Sequence, residues 1–216
     1  MDSSRIAALL EPFLEAPLSP HQLDQISTYI DLLLRWNARM NLTAIRDPEQ
    51  ILPRHFGESL FLARHLFPLA TNHRPLTTVL DIGSGAGFPA LPVKIWEPSI
   101  HLTMIEANHK KAAFLREVTR ALTLTNVDVI AARAESLQKT GSIKHPPDVV
   151  TFRAVEKFDQ ILPVAAGFLG PRSMLALLLT GSQLPNQHAD SMLTWQTLNI
   201  PKSHDRILAI GSMKVA

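Results

Sequence analysis

Apolar side chains in the first third of the chain recur every three or four residues, which is the spacing of one face of an amphipathic helix. The positions that carry this spacing are Ile26, Ile30, Leu33 and Trp36. Directly before them, residues 19–22 read Ser-Pro-His-Gln and supply an N-cap serine, a proline at the first helical position and a capping-box glutamine. The pattern predicts a helix from about residue 19 to about Met40.

A second helix start follows at residues 47–50, where Asp-Pro-Glu-Gln repeats the same signals. Apolar residues continue it through Ile51, Phe56 and Leu60 toward Leu66. Pro53 has no backbone N–H and its ring crowds the preceding turn, so we expect a disturbance in the second turn. Residues 1–75 are therefore interpreted as an N-terminal helical extension.

From residue 76 the pattern changes to short apolar runs that alternate with helical stretches. Runs rich in β-branched and aliphatic residues predict strands at 77–82, 101–106, 127–131, 149–152, 174–179 and 207–210. A helical stretch at 110–122 separates the second strand from the third. This alternation predicts an α/β fold in residues 76–216, with a mostly parallel sheet covered by helices on both faces.

Composition narrows the class of protein. Over 216 residues, 46% are hydrophobic and 19% charged, which excludes intrinsic disorder and suits one α/β domain with a helical extension, or two very small domains. There is no cysteine, so disulfides, thiolate zinc sites, iron–sulfur clusters and cysteine nucleophiles are excluded. The net charge of +2 permits an anionic partner without requiring one.

Targeting signals are absent from the sequence pattern. No run approaches the roughly 18 consecutive apolar residues of a membrane span. Residues 1–10 carry Asp2 and Arg5 and only a short apolar run, which is not the pattern of a secretory signal. We therefore expect a cytoplasmic protein with no membrane partner.

The segment 81–89, Asp-Ile-Gly-Ser-Gly-Ala-Gly-Phe-Pro, directly follows the first predicted strand. Glycines there allow positive φ and close approach of a ligand to the backbone, although a tight strand-to-helix connection is the alternative. Glu106 ends the second predicted strand, where a carboxylate can accept both hydroxyls of a ribose or can simply be solvated. Gly83 and Gly85 therefore predict a nucleotide-like ligand.

The spacing of these glycines separates two classes of enzyme. The dinucleotide fingerprint is G-x-G-x-x-G, but Phe88 stands where its third glycine would be. The observed G-x-G-x-G, with Asp81 two residues before it, is the spacing of S-adenosylmethionine methyltransferases. A nicotinamide-dependent oxidoreductase and a non-catalytic nucleotide- or RNA-binding module remain as alternatives.

Six blocks of the sequence, in this order, resemble the small-subunit ribosomal RNA guanine-N7 methyltransferases, the RsmG or glucose-inhibited division protein B family. The blocks are 41–48 (NLTAIRDP), 54–55 (RH), 81–92 (DIGSGAGFPALP), 106–116 (EANHKKAAFLR), 132–135 (ARAE) and 148–154 (DVVTFRA). The likeness runs from about residue 19 to about 213. Ala90 and Thr180 depart from the family, which often has glycine and commonly lysine at these positions.

The resemblance implies the fold of a class I methyltransferase, with a seven-stranded sheet and an N-terminal helical extension. It implies S-adenosylmethionine as cofactor and N7 of a guanine in small-subunit (16S) ribosomal RNA as the methyl acceptor. The expected partner is that RNA or the small ribosomal subunit, and the expected state is a monomer. Positions that match the family's cofactor-binding residues are Gly83, Phe88, Glu106, Ala134, Glu135 and Arg153.

Arg153 is the candidate catalytic residue. It ends a strand of buried type, where an arginine is costly unless it meets a ligand or a carboxylate. The resemblance places it at the mouth shared by cofactor and substrate. An ion pair with Glu135 is the structural alternative.

Basic residues that the substrate RNA could contact are Arg54, His55, Lys110, Lys111 and Arg206. The Arg54-His55 pair either borders the active site or ties the extension to the core. A solvated helix face is the alternative for the two lysines, and Arg206 either contacts phosphate or lies at the surface.

The chemistry that the resemblance implies needs few residues. Guanine N7 carries a lone pair and no proton, so attack on a sulfonium methyl group needs no general base, and positioning and desolvation should set the rate. His55, His101 and His109 are not spaced as metal ligands, and we expect no metal site.

Overall fold

The computed structural model describes residues 1–67, 77–153, 158–183 and 193–213. Its centre is a seven-stranded sheet with the order β3-β2-β1-β4-β5-β7-β6. The strands are β1 Thr78–Ile82, β2 His101–Ile105, β3 Val127–Ile130, β4 Val149–Arg153, β5 Met174–Thr180, β6 Leu193–Asn199 and β7 Arg206–Met213. Strands β1 to β5 pair in parallel, and β7 runs antiparallel to both β5 and β6.

All six predicted strands are confirmed, and one strand was not predicted. This strand, β6, lies at the edge of the sheet and pairs only with β7. Four of its seven residues are exposed, so it lacks the apolar run by which the other strands were recognised. The mostly parallel α/β architecture expected from the sequence is confirmed.

The helices lie on both faces of the sheet. They are α1 Ser3–Leu10, α2 Pro20–Asn37, α3 Pro48–Ile51, α4 Glu58–Leu66, α5 Ala90–Trp96, α6 His109–Ala121, α7 Ala134–Thr140 and α8 Phe158–Ala166. Within the described ranges, none of them combines the length and the apolar character needed to cross a bilayer.

Helix α2 begins with the capping box that the sequence predicts. The Ser19 hydroxyl accepts a hydrogen bond from the Gln22 backbone N–H at 3.3 Å, and the Gln22 side chain accepts one from the Ser19 N–H at 2.9 Å. The helix ends at Asn37, three residues before the expected end. The Asn37 side chain then accepts hydrogen bonds from the N–H groups of Leu42 and Thr43, which fixes the loop that follows.

Pro53 disturbs the second predicted helix as expected. Helix α3 is followed by a π-helical turn, Leu52–Gly57, which leads directly into α4. A proline cannot donate the backbone hydrogen bond of a regular turn, and such wide turns often mark functional positions. The turn carries Arg54 and His55.

Two hydrophobic cores flank the sheet. One face packs against α7 and α8. The other face shares a continuous core with α5, α6 and the helices of the extension, α1, α2 and α4. The extension therefore packs on the sheet instead of standing apart from it, and the boundary expected at residues 75 and 76 falls in the stretch 68–76, outside the described residues.

Candidate functional site

The glycine turn follows β1 and contains three residues with positive φ. The φ angles are +68° at Gly83, +55° at Gly85 and +88° at Gly87, a region that favours glycine. A Cβ at Gly83 would meet no atom within 4 Å, and one at Gly85 would meet only the Gly83 carbonyl oxygen at 3.7 Å. Gly83 and Gly85 therefore border space that no described residue fills.

Gly87 has a different role, because its Cβ position is filled by the extension. A side chain there would collide with the Tyr29 hydroxyl and would lie 2.5 Å from Leu91. The Tyr29 hydroxyl donates a hydrogen bond to the carbonyl of Ala86, and its ring stacks on Phe88 with centroids 5.3 Å apart. Helix α2 thus forms the support on which the turn rests.

Glu106 links the end of β2 to this turn. The residue is only 8% exposed, and its carboxylate accepts hydrogen bonds from the N–H groups of Gly85 and Asn108, each at 2.8 Å. Because β1 and β2 are parallel neighbours, their carboxyl ends meet at the same edge of the sheet. Each carboxylate oxygen keeps a second lone pair, which is available to a ligand hydroxyl.

Asp81 is buried beneath the turn. It is 1% exposed, and neither carboxylate oxygen has a hydrogen-bond partner among the described residues. The Ser84 hydroxyl donates, at 3.3 Å, to the backbone carbonyl of Asp81. Burial raises the pKa of Asp81 to about 8; the Ser84 hydroxyl opposes this rise and Glu106 adds to it. A bound cationic group would give this carboxylate the partner that it lacks.

A pocket of about 310 Å³ opens beside the turn and collects several of the predicted residues. The side chains of His55, Phe88, Lys111 and Arg153 line it together with Gly83 and Gly85. The His55 ring stacks on Phe88 at 4.9 Å, and its Nε2 lies 2.8 Å from the Thr43 hydroxyl. The structure thus brings together, in one pocket, residues of the extension and of the sheet.

His55 is neutral in this environment. Burial lowers its pKa to about 3, and the charges of Arg153, Arg54 and Arg206 add to this effect. An imidazole with so low a pKa is unprotonated at neutral pH and is a weak general base.

Arg153 pairs with a carboxylate that the sequence analysis did not consider. Its Nη2 lies 3.0 Å from an oxygen of Glu58 and donates a hydrogen bond to the Arg54 carbonyl at 2.6 Å. The expected alternative partner, Glu135, is exposed on α7 and forms no ion pair with Arg153 among the described contacts. Arg153 does form an ion pair, but its partner is Glu58, and the prediction of Glu135 is wrong.

Arg206 also pairs with Glu58. Its Nη2 donates to the carboxylate at 3.1 Å, and its side chain is only 8% exposed. The alternative that placed Arg206 at the surface is therefore wrong.

Six predicted residues lie outside the pocket lining: Glu106, Arg54 and Arg206, described above, and Lys110, Ala134 and Glu135. Lys110 is exposed in the first turn of α6, Ala134 is buried at the start of α7, and Glu135 follows it in an exposed position. No cluster of three metal-ligating side chains occurs in the part of the chain that the structure describes.

Sequence reasoning missed Glu58 and Tyr29. Glu58 lies one helical turn after Arg54, and this spacing is a signal for a helical ion pair. Tyr29 is the only tyrosine of the chain and falls on the apolar face of α2, where its hydroxyl needs a partner. Neither signal alone points to the glycine turn.

Solved structures share the fold. A ribosomal protein L11 methylase from Lactobacillus delbrueckii subsp. bulgaricus aligns with a TM-score of 0.56 at 15% identity, covering 74% of this chain and 80% of that one. TYW2 from M. jannaschii, solved in complex with AdoMet, aligns with a TM-score of 0.52 at 15% identity, covering 71% and 74%. The expected fold of a class I methyltransferase is confirmed.

Sequence comparison identifies closer relatives. A ribosomal RNA small subunit methyltransferase G from Chloroflexus aggregans is 44% identical over 153 residues, which are 71% of this chain and 62% of that protein. The protein of the same name from Bacillus subtilis is 36% identical over 140 residues, covering 65% and 56%. The matched part of the chain thus spans less than two thirds of the length of either relative.

A family model agrees with these relatives. The model described as GidB, rRNA small subunit methyltransferase G, matches residues 22–209, which include both the extension from α2 onward and the whole glycine turn. The chain therefore belongs to the rRNA small subunit methyltransferase G family, as the six sequence blocks predicted.

Proposed function

We propose that this protein transfers the methyl group of S-adenosylmethionine to N7 of one guanine in small-subunit ribosomal RNA. The observation that carries the proposal is the pocket beside β1, in which the glycine turn and Arg153 meet in a chain of this family. A pocket that joins a nucleotide-type turn to residues of a helical extension suits an enzyme that holds a cofactor and a second substrate together.

The residues around the turn fit the proposed cofactor. Open space over Gly83 and Gly85 allows close approach to the backbone, and Glu106 has lone pairs for the ribose hydroxyls. The buried carboxyl group of Asp81, whose oxygens have no hydrogen-bond partner among the described residues, would ionise beside the ammonium group of the methionine part. Ala134 and Glu135, at the start of α7, are proposed to flank the adenine. When bound, S-adenosylmethionine supplies a methyl group activated by a sulfonium.

The chain's own residues orient the reactants and exclude water. The nucleophile is the lone pair of guanine N7, which has no proton to lose, so no residue must act as a base. This agrees with a pocket in which the imidazole of His55 is held neutral by burial and by its arginine neighbours, with its pKa near 3. We propose that Arg153, at the wall of the pocket, positions the cofactor or the guanine.

RNA contacts are proposed for the basic residues around the pocket. Lys111 lines the pocket, and Lys110 precedes Lys111 at the exposed start of α6. The Arg54 side chain, on the same π-helical turn as His55, is 38% exposed. Arg206 is too buried to offer much surface to a phosphate, and its contribution is proposed to act through Glu58. Since the net charge is only +2, recognition should depend on an exposed, unpaired guanine more than on non-specific charge.

The test is methyl transfer in vitro. Purified protein is incubated with S-adenosylmethionine carrying a labelled methyl group and with small-subunit RNA, naked and in assembled subunits, from cells that lack the gene. We expect one labelled N7-methylguanine, located by mass spectrometry of RNA fragments. Label on another atom, or no label on either substrate, contradicts the proposal.

Calorimetry separates the alternative functions. We expect S-adenosylmethionine to bind and NAD not to bind; the reverse result supports an oxidoreductase. A protein that binds S-adenosylmethionine and RNA but transfers no methyl group is a binding module. Family membership favours the methyltransferase among these three.

A further inference from the structure

One buried carboxylate organises the arginines around the pocket. Glu58, at the start of α4, is 2% exposed, and its two oxygens meet three guanidinium groups. Arg54 pairs with Oε1 from one helical turn earlier, while Arg153 from the end of β4 and Arg206 from the start of β7 lie 3.0 Å and 3.1 Å from Oε2. A residue of the extension thus joins two strands of the sheet.

The charges in this cluster are not balanced. Three guanidinium groups face one carboxylate, and the side chains of Arg153 and Arg206 are only 5% and 8% exposed. Burial lowers the pKa of Arg153 to about 10, with Glu58 opposing the change and the neighbouring arginines adding to it. Arg153 remains a cation at neutral pH, and Glu58 compensates its charge within the cluster. Without that carboxylate, Arg153 and Arg206 would be like charges buried side by side.

The remaining donors of Arg153 are directed by these contacts. Its Nη2 is occupied by the Arg54 carbonyl and by Glu58. Its Nη1 is buried and has no hydrogen-bond partner among the described residues, although Arg153 lines the pocket. A planar guanidinium restrained at one nitrogen by a hydrogen bond and an ion pair has little rotational freedom, so its remaining nitrogens keep a fixed orientation.

We propose that Glu58 is a positioning residue for methyl transfer, which acts by holding the guanidinium of Arg153 at the wall of the pocket. This inference rests on the proposed function. Because Glu58 belongs to the extension and Arg153 to the sheet, the pocket is complete only when α4 is packed in place. Glu58 itself does not line the pocket and touches neither reactant.

The test compares single-turnover methyl-transfer rates at saturating cofactor and RNA. Glu58→Gln keeps the size of the side chain and removes its charge, and we expect a loss of at least tenfold in rate. Glu58→Asp keeps the charge but shortens the reach, and it serves if Glu58→Gln does not fold; we expect a loss of several-fold. Glu97→Gln is the matched control and should keep the wild-type rate, since Glu97 follows α5, accepts hydrogen bonds from Ser99 and belongs neither to the pocket lining nor to the Glu58 cluster.

Coupling to Arg153 distinguishes positioning from mere structural support. If Glu58 acts through Arg153, Glu58→Gln should add less than twofold to the loss already caused by Arg153→Ala. Melting temperature and cofactor affinity, measured on each variant, separate loss of fold from loss of rate.

The outcomes are distinct. Losses that multiply in the double variant, or a folded Glu58→Gln or Glu58→Asp that keeps the wild-type rate, overturn the positioning role alone. A folded wild-type protein that transfers no methyl group overturns the proposed function and this inference with it.

Discussion

The hydroxyl of Tyr29 donates a hydrogen bond to the backbone carbonyl of Ala86, so that helix α2 of the extension holds the glycine turn directly. The same ring stacks on Phe88, and Phe88 stacks on His55 at the pocket wall. The extension is therefore part of the candidate site: it supports the turn from below through Tyr29 and borders the pocket through His55.

Removing this hydroxyl should loosen the turn without disturbing the stack. Tyr29→Phe leaves the Ala86 carbonyl buried without its donor, which costs about 1–3 kcal/mol of unfolding free energy. We also expect weaker binding of S-adenosylmethionine, measured by calorimetry. Ser27→Ala removes another hydrogen bond from a side chain of α2 to a backbone carbonyl, that of Met1, but should leave cofactor affinity unchanged. Equal affinity in both variants would show that the Tyr29 contact does not reach the site.

Gly83→Ala tests two effects of a side chain in the turn: the cost of a positive φ to stability, and the loss of space for the cofactor. The residue has φ +68° and no atom within 4 Å of its Cβ position, so alanine folds at a cost of about 1–2 kcal/mol. The new methyl group enters the space proposed for the cofactor and should weaken binding at least tenfold. Gly141→Ala is the matched control, because Gly141 has φ +60° and equally free surroundings at the end of α7. The proposed cofactor position is wrong if both variants bind equally well.

Glu106→Gln tests the link between β2 and the turn. An amide offers one acceptor oxygen where the carboxylate serves the two N–H donors of Gly85 and Asn108, so one of these bonds must be lost. We expect a loss of about 1.5–3 kcal/mol in cofactor binding, because hydrogen bonds to a charged acceptor are the stronger ones. Thermal melting with and without cofactor checks this. A fall in melting temperature that is the same in both conditions would make Glu106 purely structural.

Asp81 should make stability depend on pH. Because burial raises its pKa to about 8, the folded state keeps the proton over a range in which the unfolded chain, with the ordinary value of 3.8, has lost it. The contribution of Asp81 to stability is thus fully present below the unfolded pKa and falls by about 1.4 kcal/mol per unit as pH rises toward 8. Asp81→Asn cannot titrate, so unfolding free energies of wild type and variant should diverge over this interval. Parallel profiles would contradict the raised pKa.

Local sequence was enough to predict the centre of the fold. Positive φ at the glycines and the apolar runs of buried parallel strands are set by nearby residues, and both were found where expected. Helix α1 and strand β6 were missed for local reasons as well. Helix α1 has eight residues and no side-chain hydrogen bond at its start, and β6 is a largely exposed edge strand.

Two of the three ion pairs in the Glu58 cluster, those with Arg153 and Arg206, could not be predicted because the partners are distant in sequence. Arg206 and Glu58 are separated by 148 positions, and no pattern in either segment predicts that the two side chains meet. The sequence did indicate that Arg153 needed a ligand or a carboxylate, since it ends a buried strand. The partner considered was Glu135, whereas the observed partner, Glu58, lies far earlier in the sequence, in the helical extension.

The last prediction concerns the rate of transfer and its dependence on pH. Arg153→Ala removes the guanidinium from the pocket wall and should lower the single-turnover rate about a hundredfold, because misplacing a reactant by an ångström has an effect of this order. Arg153→Lys keeps the charge next to Glu58 without the planar fork and should lie between wild type and alanine. A rate near wild type in a folded Arg153→Ala would remove this residue from the site.

At saturating cofactor and RNA the wild-type rate should be flat between mildly acidic and mildly alkaline pH. The nucleophilic nitrogen carries no proton, and the pKa of His55, held near 3 by burial and by its arginine neighbours, lies below this range. Asp81 can alter cofactor affinity, but saturation removes that effect from the rate. A rate that rises tenfold per pH unit would show that a catalytic base takes part, and the mechanism based on positioning alone would then have to be abandoned.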